Sequence, residues 1–367
     1  MQRAKKKTVA IIGTNGVPAS YGGYETLAEN IIGYLSDDFK FSIYCSQTQK
    51  IKNNNTKEYK SAELIYIPLK ANGWQSIIYD IISLFHASFT KDIILYLGPG
   101  AGFAVPFLKL FRKKIIVNHG GLNEWEREKY SSFQRFVAKL GHKYAAKYAT
   151  FNIADNFLLR DSIKHDFGVN SEVIRYGGDH AIEVNPDHEL VNKYPFLETK
   201  YYINVSRAQV DNNLHLVLEA FKEIPEMKLV MVSNWSISNY GTKLKEEYKN
   251  KYSNIIILDA IYNSIEINAI RSNAIAYIHS HSYCGTSPSL VEAMSLGLPV
   301  ISFDVPTNRE TTKNKALFFK NSKDLTEKLL AANKTDISIV SREMKKIAEK
   351  DYTWAYISSQ YSALFNK

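Results

Sequence analysis

The segment His279-Ser280-His281-Ser282-Tyr283-Cys284-Gly285-Thr286-Ser287-Pro288-Ser289-Leu290-Val291-Glu292 holds the densest set of chemistry-bearing residues in the chain. It reads as a strand, a loop of small residues and then a helix. Thr286, Ser287 and Ser289 put hydroxyls and amides at the helix start, where backbone N–H groups and the helix dipole attract an anion such as a phosphate. Glu292 on the same helix is an acceptor-only carboxylate that suits the two hydroxyls of a ribose, although its spacing from Ser289 equally fits a capping box. Arg207 follows the apolar run YYINVS, and Asp211-Asn212-Asn213 opens the next helix. A guanidinium at the carboxyl end of a strand grips diphosphate oxygens bidentately, or else pairs at the surface with Asp211.

Near the start, Gly13-Thr14-Asn15-Gly16-Val17-Pro18 is followed by Tyr21-Gly22-Gly23-Tyr24-Glu25 and a helix. It is neither the dinucleotide fingerprint GxGxxG nor a P-loop, yet glycines at a helix start let amides approach an anion closely. No Asp-x-Asp occurs anywhere, so no metal site is expected. Phosphate charge would be offset by arginine, amides and helix dipoles. His279 and His281 are read as alternating along a strand, and therefore as facing opposite ways. Their spacing does not suit a metal without further ligands. Cys284 reads as a small loop residue.

These groups need elements that hold them. TVAIIG, FSIYCS, LIYIPL, DIILYLG, KIIVNHG and ATFNIAD are short apolar runs separated by helical stretches, the pattern of a parallel sheet covered by helices. A second set runs through YYINVS, KLVMVS, IIILDA, AIAYIHS and PVISFD. The expected architecture is α/β: two Rossmann-like, doubly wound domains facing a central cleft, with ligands beyond the carboxyl ends of the strands. The boundaries are placed at residues 1–178 for the first domain and 179–199 for a linker. Residues 200–351 form the second domain, and a tail helix over 352–367 completes the first.

Length and composition agree. A chain of 367 residues suits two cores better than one. With 45% hydrophobic and 23% charged residues it is ordinary globular material. The two cysteines, Cys45 and Cys284, form no disulfide framework, which fits a reducing cytoplasm. No apolar stretch approaches the ~20 residues that span a bilayer. The net charge of +9 admits nucleic acid, anionic lipid or a polyphosphate substrate as partner. No nucleic-acid module accompanies it. Lys109, Arg112, Lys113 and Lys114 cluster beside VPFLKLF, either as a solvated helix end or as a contact with an anionic membrane.

The chain resembles family 4 glycosyltransferases, and within them the bacterial rhamnosyltransferases of surface-polysaccharide synthesis. The resemblance rests on GTNGVPASYGGYET, NHGGLNEWEREK, ADN at 154–156, YGGD at 176–179, SRAQVDNN and GTSPSLVEAMSLGLPVISFDVPTNRETT. It implies the GT-B fold and metal-independent, retaining transfer from a nucleotide sugar, dTDP-L-rhamnose above a UDP-linked donor. A polyprenyl-diphosphate-linked saccharide at the inner membrane surface would be the acceptor. A nucleotide-sugar epimerase of the same fold is the alternative, and a nicotinamide-dependent oxidoreductase a more distant one. Carried over by position, Gly22 and Gly23 approach the donor diphosphate, Arg207 binds it with Asn212, Thr286, Ser287 and Ser289, and Glu292 holds the ribose. His119 sits near the transferred sugar, or else shapes its own loop. Tyr21, Glu25, Asp155, Asn156 and His281 are expected as sugar or acceptor contacts. The chain departs from the family pattern at Cys284, where the first of two paired Glu belongs, at Asn212 and Asn213, where a Lys usually follows the Arg, and at Gly120, where the rhamnosyl group often has Asp.

Overall fold

A computed structural model of the protein describes residues 6–19, 22–121, 131–334 and 336–367. The chain divides into two compact units, Met1–Arg175 with Trp354–Lys367, and Tyr176–Thr353.

In the first unit the strands are β1 (Thr8–Ile12), β2 (Lys40–Cys45), β3 (Glu58–Tyr59), β4 (Ala62–Tyr66), β5 (Ile93–Leu97), β6 (Lys114–Asn118), β7 (Phe151–Ala154) and β8 (Glu172–Val173). They lie in the order β3-β4-β2-β1-β5-β6-β7-β8. Every pairing is parallel except the short β3–β4 hairpin. The central strands are buried on both faces, as in β5, where every residue is buried; helices cover the two sides of such a sheet. The chain order reverses between β1 and β5, so the loops after these strands open at the switch point.

The tail helix Trp354–Asn366 belongs to this unit. Phe365 meets Phe39 edge-on with ring centroids 5.2 Å apart. The Lys7 and Lys114 ammonium groups donate to the Phe365 carbonyl at 3.2 and 3.0 Å, so cations sit where the helix leaves carbonyls unsatisfied. Tyr361, fully buried, accepts from the Asn118 amide at 2.7 Å, which ties the tail to the end of β6.

The second unit contains β9 (Tyr202–Val205), β10 (Leu229–Ser233), β11 (Ile255–Asp259), β12 (Ala276–His279), β13 (Val300–Phe303) and β14 (Leu317–Phe319), in the order β11-β10-β9-β12-β13-β14. All pairings are parallel. The core gathers Leu214, Val217 and Phe221 of one helix with Leu229, Met231 and Ile278 of the sheet. The switch point lies between β9 and β12. The segment expected as a linker packs onto this unit instead of standing free. Phe196 and Leu197 are buried, Val184 exchanges hydrogen bonds with the Ser272 hydroxyl, and both Lys193 and Tyr194 bond Glu266 at 2.8 Å. Aromatic rings in a turn-rich sequence give such a segment something to bury.

Candidate active site

In the first unit the loops after β1, β5 and β6 meet around Tyr24. Gly22 caps the helix Gly23–Leu35 with no side-chain hydrogen bond at the cap. Its φ is +112°, a backbone conformation that favours glycine, and a Cβ there would stand 2.7 Å from the Glu25 carboxylate. A Cβ on Gly120, after β6, would fall 1.7 Å from the Tyr24 hydroxyl. Gly98, after β5, and Gly120 both lie against the Tyr24 ring, since a Cβ on Gly98 would stand 3.0 Å from it; sequence reading passed over this ring. Tyr21 lies outside the described residues.

The expected sugar contacts of this unit are engaged in the fold. Glu25 is buried and accepts the Asn15 N–H at 2.8 Å. Burial raises its pKa, and that hydrogen bond offsets part of the rise. Asn156 caps the helix Phe157–Phe167 by accepting the Leu159 N–H at 2.7 Å, and donates to Asp155 at 2.9 Å. His119 is wholly buried. Its Nε2 lies 2.9 Å from Asn152 Oδ1 and its Nδ1 3.2 Å from His142 Nδ1. The Asn152 amide nitrogen donates to the Ala146 carbonyl, which makes Oδ1 an acceptor. His119 therefore carries its proton on Nε2, and His142 donates from Nδ1. Burial lowers the His119 pKa to about 4 against the Asn152 bond, and burial and His119 lower that of His142. Of the two readings left open for His119, the loop-shaping one matches this placement: both ring nitrogens are occupied, so the imidazole orders the end of β6.

In the second unit the loops after β9 and β12 are stitched together at the switch point. The Ser282 N–H and hydroxyl both donate to the Asp211 carbonyl at 2.9 Å. The Ser280 hydroxyl donates to the Asn212 carbonyl at 2.6 Å, and the Asn213 amide returns a bond to the Ser280 carbonyl at 3.0 Å. The Asn212 side chain is buried and donates to the Arg207 carbonyl at 2.7 Å. It fixes the backbone of the arginine and leaves the guanidinium to point outward. Arg207 is exposed, and among the described residues no carboxylate pairs with it, Asp211 included.

The helix Pro288–Ser295 starts from Ser287, whose side chain makes no cap bond to the helix. Its hydroxyl instead approaches Ser289 Oγ at 3.2 Å and His281 Nδ1 at 3.5 Å. Thr286 and Ser287 are buried. The capping-box reading of Ser289 and Glu292 is overturned, because Glu292 faces elsewhere. Its two oxygens meet the Arg271 guanidinium at 2.5 Å and His180 Nε2 at 3.1 Å. Burial alone would raise its pKa, but Arg271 and then His180 pull it down to about 2. Glu292 is therefore a carboxylate at neutral pH, with lone pairs beyond those two bonds. Arg271 and His180 were not singled out from sequence. Arg271 lies on the buried side of the helix Ser264–Ser272, and a charge among apolar helix positions was the available signal.

The expectation that His279 and His281 face opposite ways is incorrect. Their ring centroids are 4.4 Å apart. A pleat of period two puts residues i and i+2 on the same side, and β12 ends at His279, which leaves His281 in the loop.

Residues 187–351 match the family described as glycosyl transferases group 1. This protein is a glycosyltransferase. Residues 6–179 match a domain of unknown function, DUF1972. No curated protein matches the chain. Among solved structures, the glycosyltransferase is similar to sucrose-phosphate synthase from Thermosynechococcus elongatus, with a TM-score of 0.81 at 14% identity over 98% of both chains. It is also similar to HepE from Anabaena in complex with UDP and glucose, with a TM-score of 0.74 at 13% identity over 98% of this chain and 99% of that one. A glycosyltransferase from Rickettsia africae gives 0.73 at 14% identity over 99% and 98%. At such identities these likenesses establish the fold, which is GT-B.

Proposed function

We propose that this glycosyltransferase transfers L-rhamnose from dTDP-L-rhamnose to a saccharide carried on a polyprenyl diphosphate, without a catalytic metal and with retention of configuration. The observation that carries the donor half is the stitched switch point of the second unit. It fixes the exposed Arg207 and the open helix start at Ser287 in one loop pair, while Glu292 stays ionised further along the helix. A nucleoside diphosphate needs those three things: a bidentate cation, oriented amides and an acceptor for the nucleoside's sugar hydroxyl, which in dTDP is the 3′-OH alone. As sugar departs, negative charge gathers on the leaving diphosphate, and donors already aimed there lower the barrier. Thr286, Ser287 and Ser289 join Arg207 in this role, and Glu292 accepts the hydroxyl of the nucleoside sugar. Acceptor attack on the leaving-group side lets a phosphate oxygen take the proton, so no carboxylate nucleophile is required. The choice of rhamnose is supported by the sequence blocks alone.

The donor is tested by thermal shift across dTDP-L-rhamnose, UDP-glucose and GDP-mannose, followed by NMR of the product. The largest stabilisation is expected from dTDP-L-rhamnose, with the anomeric configuration unchanged. Stabilisation confined to another nucleotide sugar would remove the rhamnosyl assignment. An epimerised donor formed without acceptor would remove the transfer.

A lipid-borne acceptor requires the protein to meet a membrane, and no described helix is long and apolar enough to cross one. The first unit presents Phe107, Leu110, Phe133 and Phe136 to solvent, Leu110 at 82% exposure. Exposed Lys109, Arg112, Lys139 and Lys143 accompany them. Apolar side chains among cations suit an anionic bilayer surface. Leu110→Glu/Phe133→Glu is expected to abolish co-sedimentation with phosphatidylglycerol vesicles and to leave transfer to a water-soluble acceptor intact. Undiminished sedimentation would reject this face.

A further inference from the structure

We infer that His279, His281 and Cys284 form a binding site for a zinc-class divalent cation. One ligand atom from each lies within 4.8 Å of the other two. His279 Nε2 stands 4.0 Å from Cys284 Sγ. A tetrahedral zinc held at the usual Zn–N and Zn–S lengths sets its ligand atoms roughly 3.3–3.6 Å apart. Closing that gap takes a shift of about an ångström, and His281 and Cys284 both lie beyond the end of β12 in a loop. Two imidazoles and one thiolate are a borderline-soft set that favours zinc over magnesium or calcium.

Three features separate this cluster from a chance meeting of side chains. His279 is wholly buried, the Asn308 side chain reaches its ring, and among the described residues its Nδ1 finds no hydrogen-bond partner. A core histidine kept for its hydrogen bonds would satisfy both nitrogens. Ser287 Oγ lies 3.5 Å from His281 Nδ1, which orients the ring so that Nε2 is the ligand atom, the outer-shell arrangement that zinc histidines use. Asn308 is buried and serves both loop ligands. Its amide nitrogen donates to the His281 carbonyl at 2.9 Å, and its oxygen accepts the Cys284 thiol hydrogen at 3.6 Å. On binding, that thiol proton passes to solvent and Cys284 coordinates as thiolate. Three protein ligands leave the fourth position to water or another oxygen, the pattern of an open rather than a closed zinc site. The ligand set contains no carboxylate and borders the loop that carries Ser287. The site does not rest on the proposed transfer.

Cobalt(II) reports both the geometry and the sulfur ligand. Titration of the full-length protein is expected to saturate at one equivalent, with tetrahedral d–d bands and a thiolate-to-cobalt charge-transfer band that zinc displaces. Cys284→Ser is expected to lose the charge-transfer band. No stoichiometric binding, or a band that persists in Cys284→Ser, overturns the site. If that variant does not fold, alkylation of the wild type decides. One equivalent of zinc is expected to slow modification of Cys284, mapped by mass spectrometry, at least tenfold, and an unchanged rate overturns the inference.

Discussion

Arg207→Ala is expected to lower kcat for sugar transfer by about 10²–10³-fold, the loss seen when one preorganised donor to a developing negative charge is removed, and to leave thermal stability unchanged. The second half of that expectation makes the first informative. Arg207 is exposed and has no ion pair among the described residues. The loop beneath is held by its backbone carbonyl, through Asn212, and not by its guanidinium. A surface side chain of this kind contributes within about 0.5 kcal/mol to folding. Arg207→Lys keeps the charge but loses the planar fork, so it should fall between wild type and alanine. Single-turnover kinetics together with a melting curve check all three proteins. Wild-type transfer by the alanine variant would falsify the diphosphate role, and an early-melting one would show that the arginine is structural.

Arg271→Ala should have the largest effect on stability, about 3–5 kcal/mol, because it strands one member of a buried ion pair. Arg271 and Glu292 are each 8% exposed, and only His180 would remain to face the carboxylate. Removing both charges tests the cause. Arg271→Met/Glu292→Gln should be more stable than Arg271→Ala, since the penalty comes from an uncompensated charge and not from a lost contact. Equal instability of the two would reject that account. The pH dependence has a definite sign. Arg271 and His180 hold the Glu292 carboxyl down to about 2 in the folded protein, against its ordinary 4.5. The pair's stabilisation is therefore present above about 4.5 and lost as the pH falls toward 2. The gap between wild type and Arg271→Ala should narrow over that window, because wild type loses the pair as Glu292 takes up a proton. If Glu292 also accepts the hydroxyl of the nucleoside sugar, Glu292→Gln raises KM for the nucleotide sugar more than it lowers kcat. A 2′,3′-dideoxy donor analogue should then bind wild type and variant alike.

Much of the architecture was legible in the residues. Short apolar runs, most of those in the first half ending in glycine, proline, serine or asparagine, identified β1, β2, β4, β5, β6 and β7 in the first half and β9 to β13 in the second, because buried parallel strands read as near-continuous apolar runs. The two-residue strands β3 and β8 and the three-residue β14 were not legible, since pairs that short exist only through the neighbour they join. The stretch over 179–199 read as a linker on its polar, turn-rich composition. Only the packed unit shows that Phe196 and Leu197 have somewhere to go. His119 was placed by its position after a strand, but whether such a residue faces ligand or core depends on His142 and Asn152, which lie far along the chain.

By itself, the sequence determined which groups could meet an anion: an arginine after one strand, hydroxyls and a carboxylate around a helix start after another, and glycines at a third. Local periodicity and helix-start chemistry suffice for that. The tertiary structure decided what each group is occupied with. It aligned β9 beside β12 so that Asp211 to Asn213 are hydrogen-bonded to Ser280 and Ser282, and it brought Arg271 and His180 to Glu292 and His279 to Cys284. These partners are far apart in sequence or set by a loop's path, and the free energy of a charge, a proton or a metal ligand depends on the atoms a few ångströms away, which no local pattern encodes.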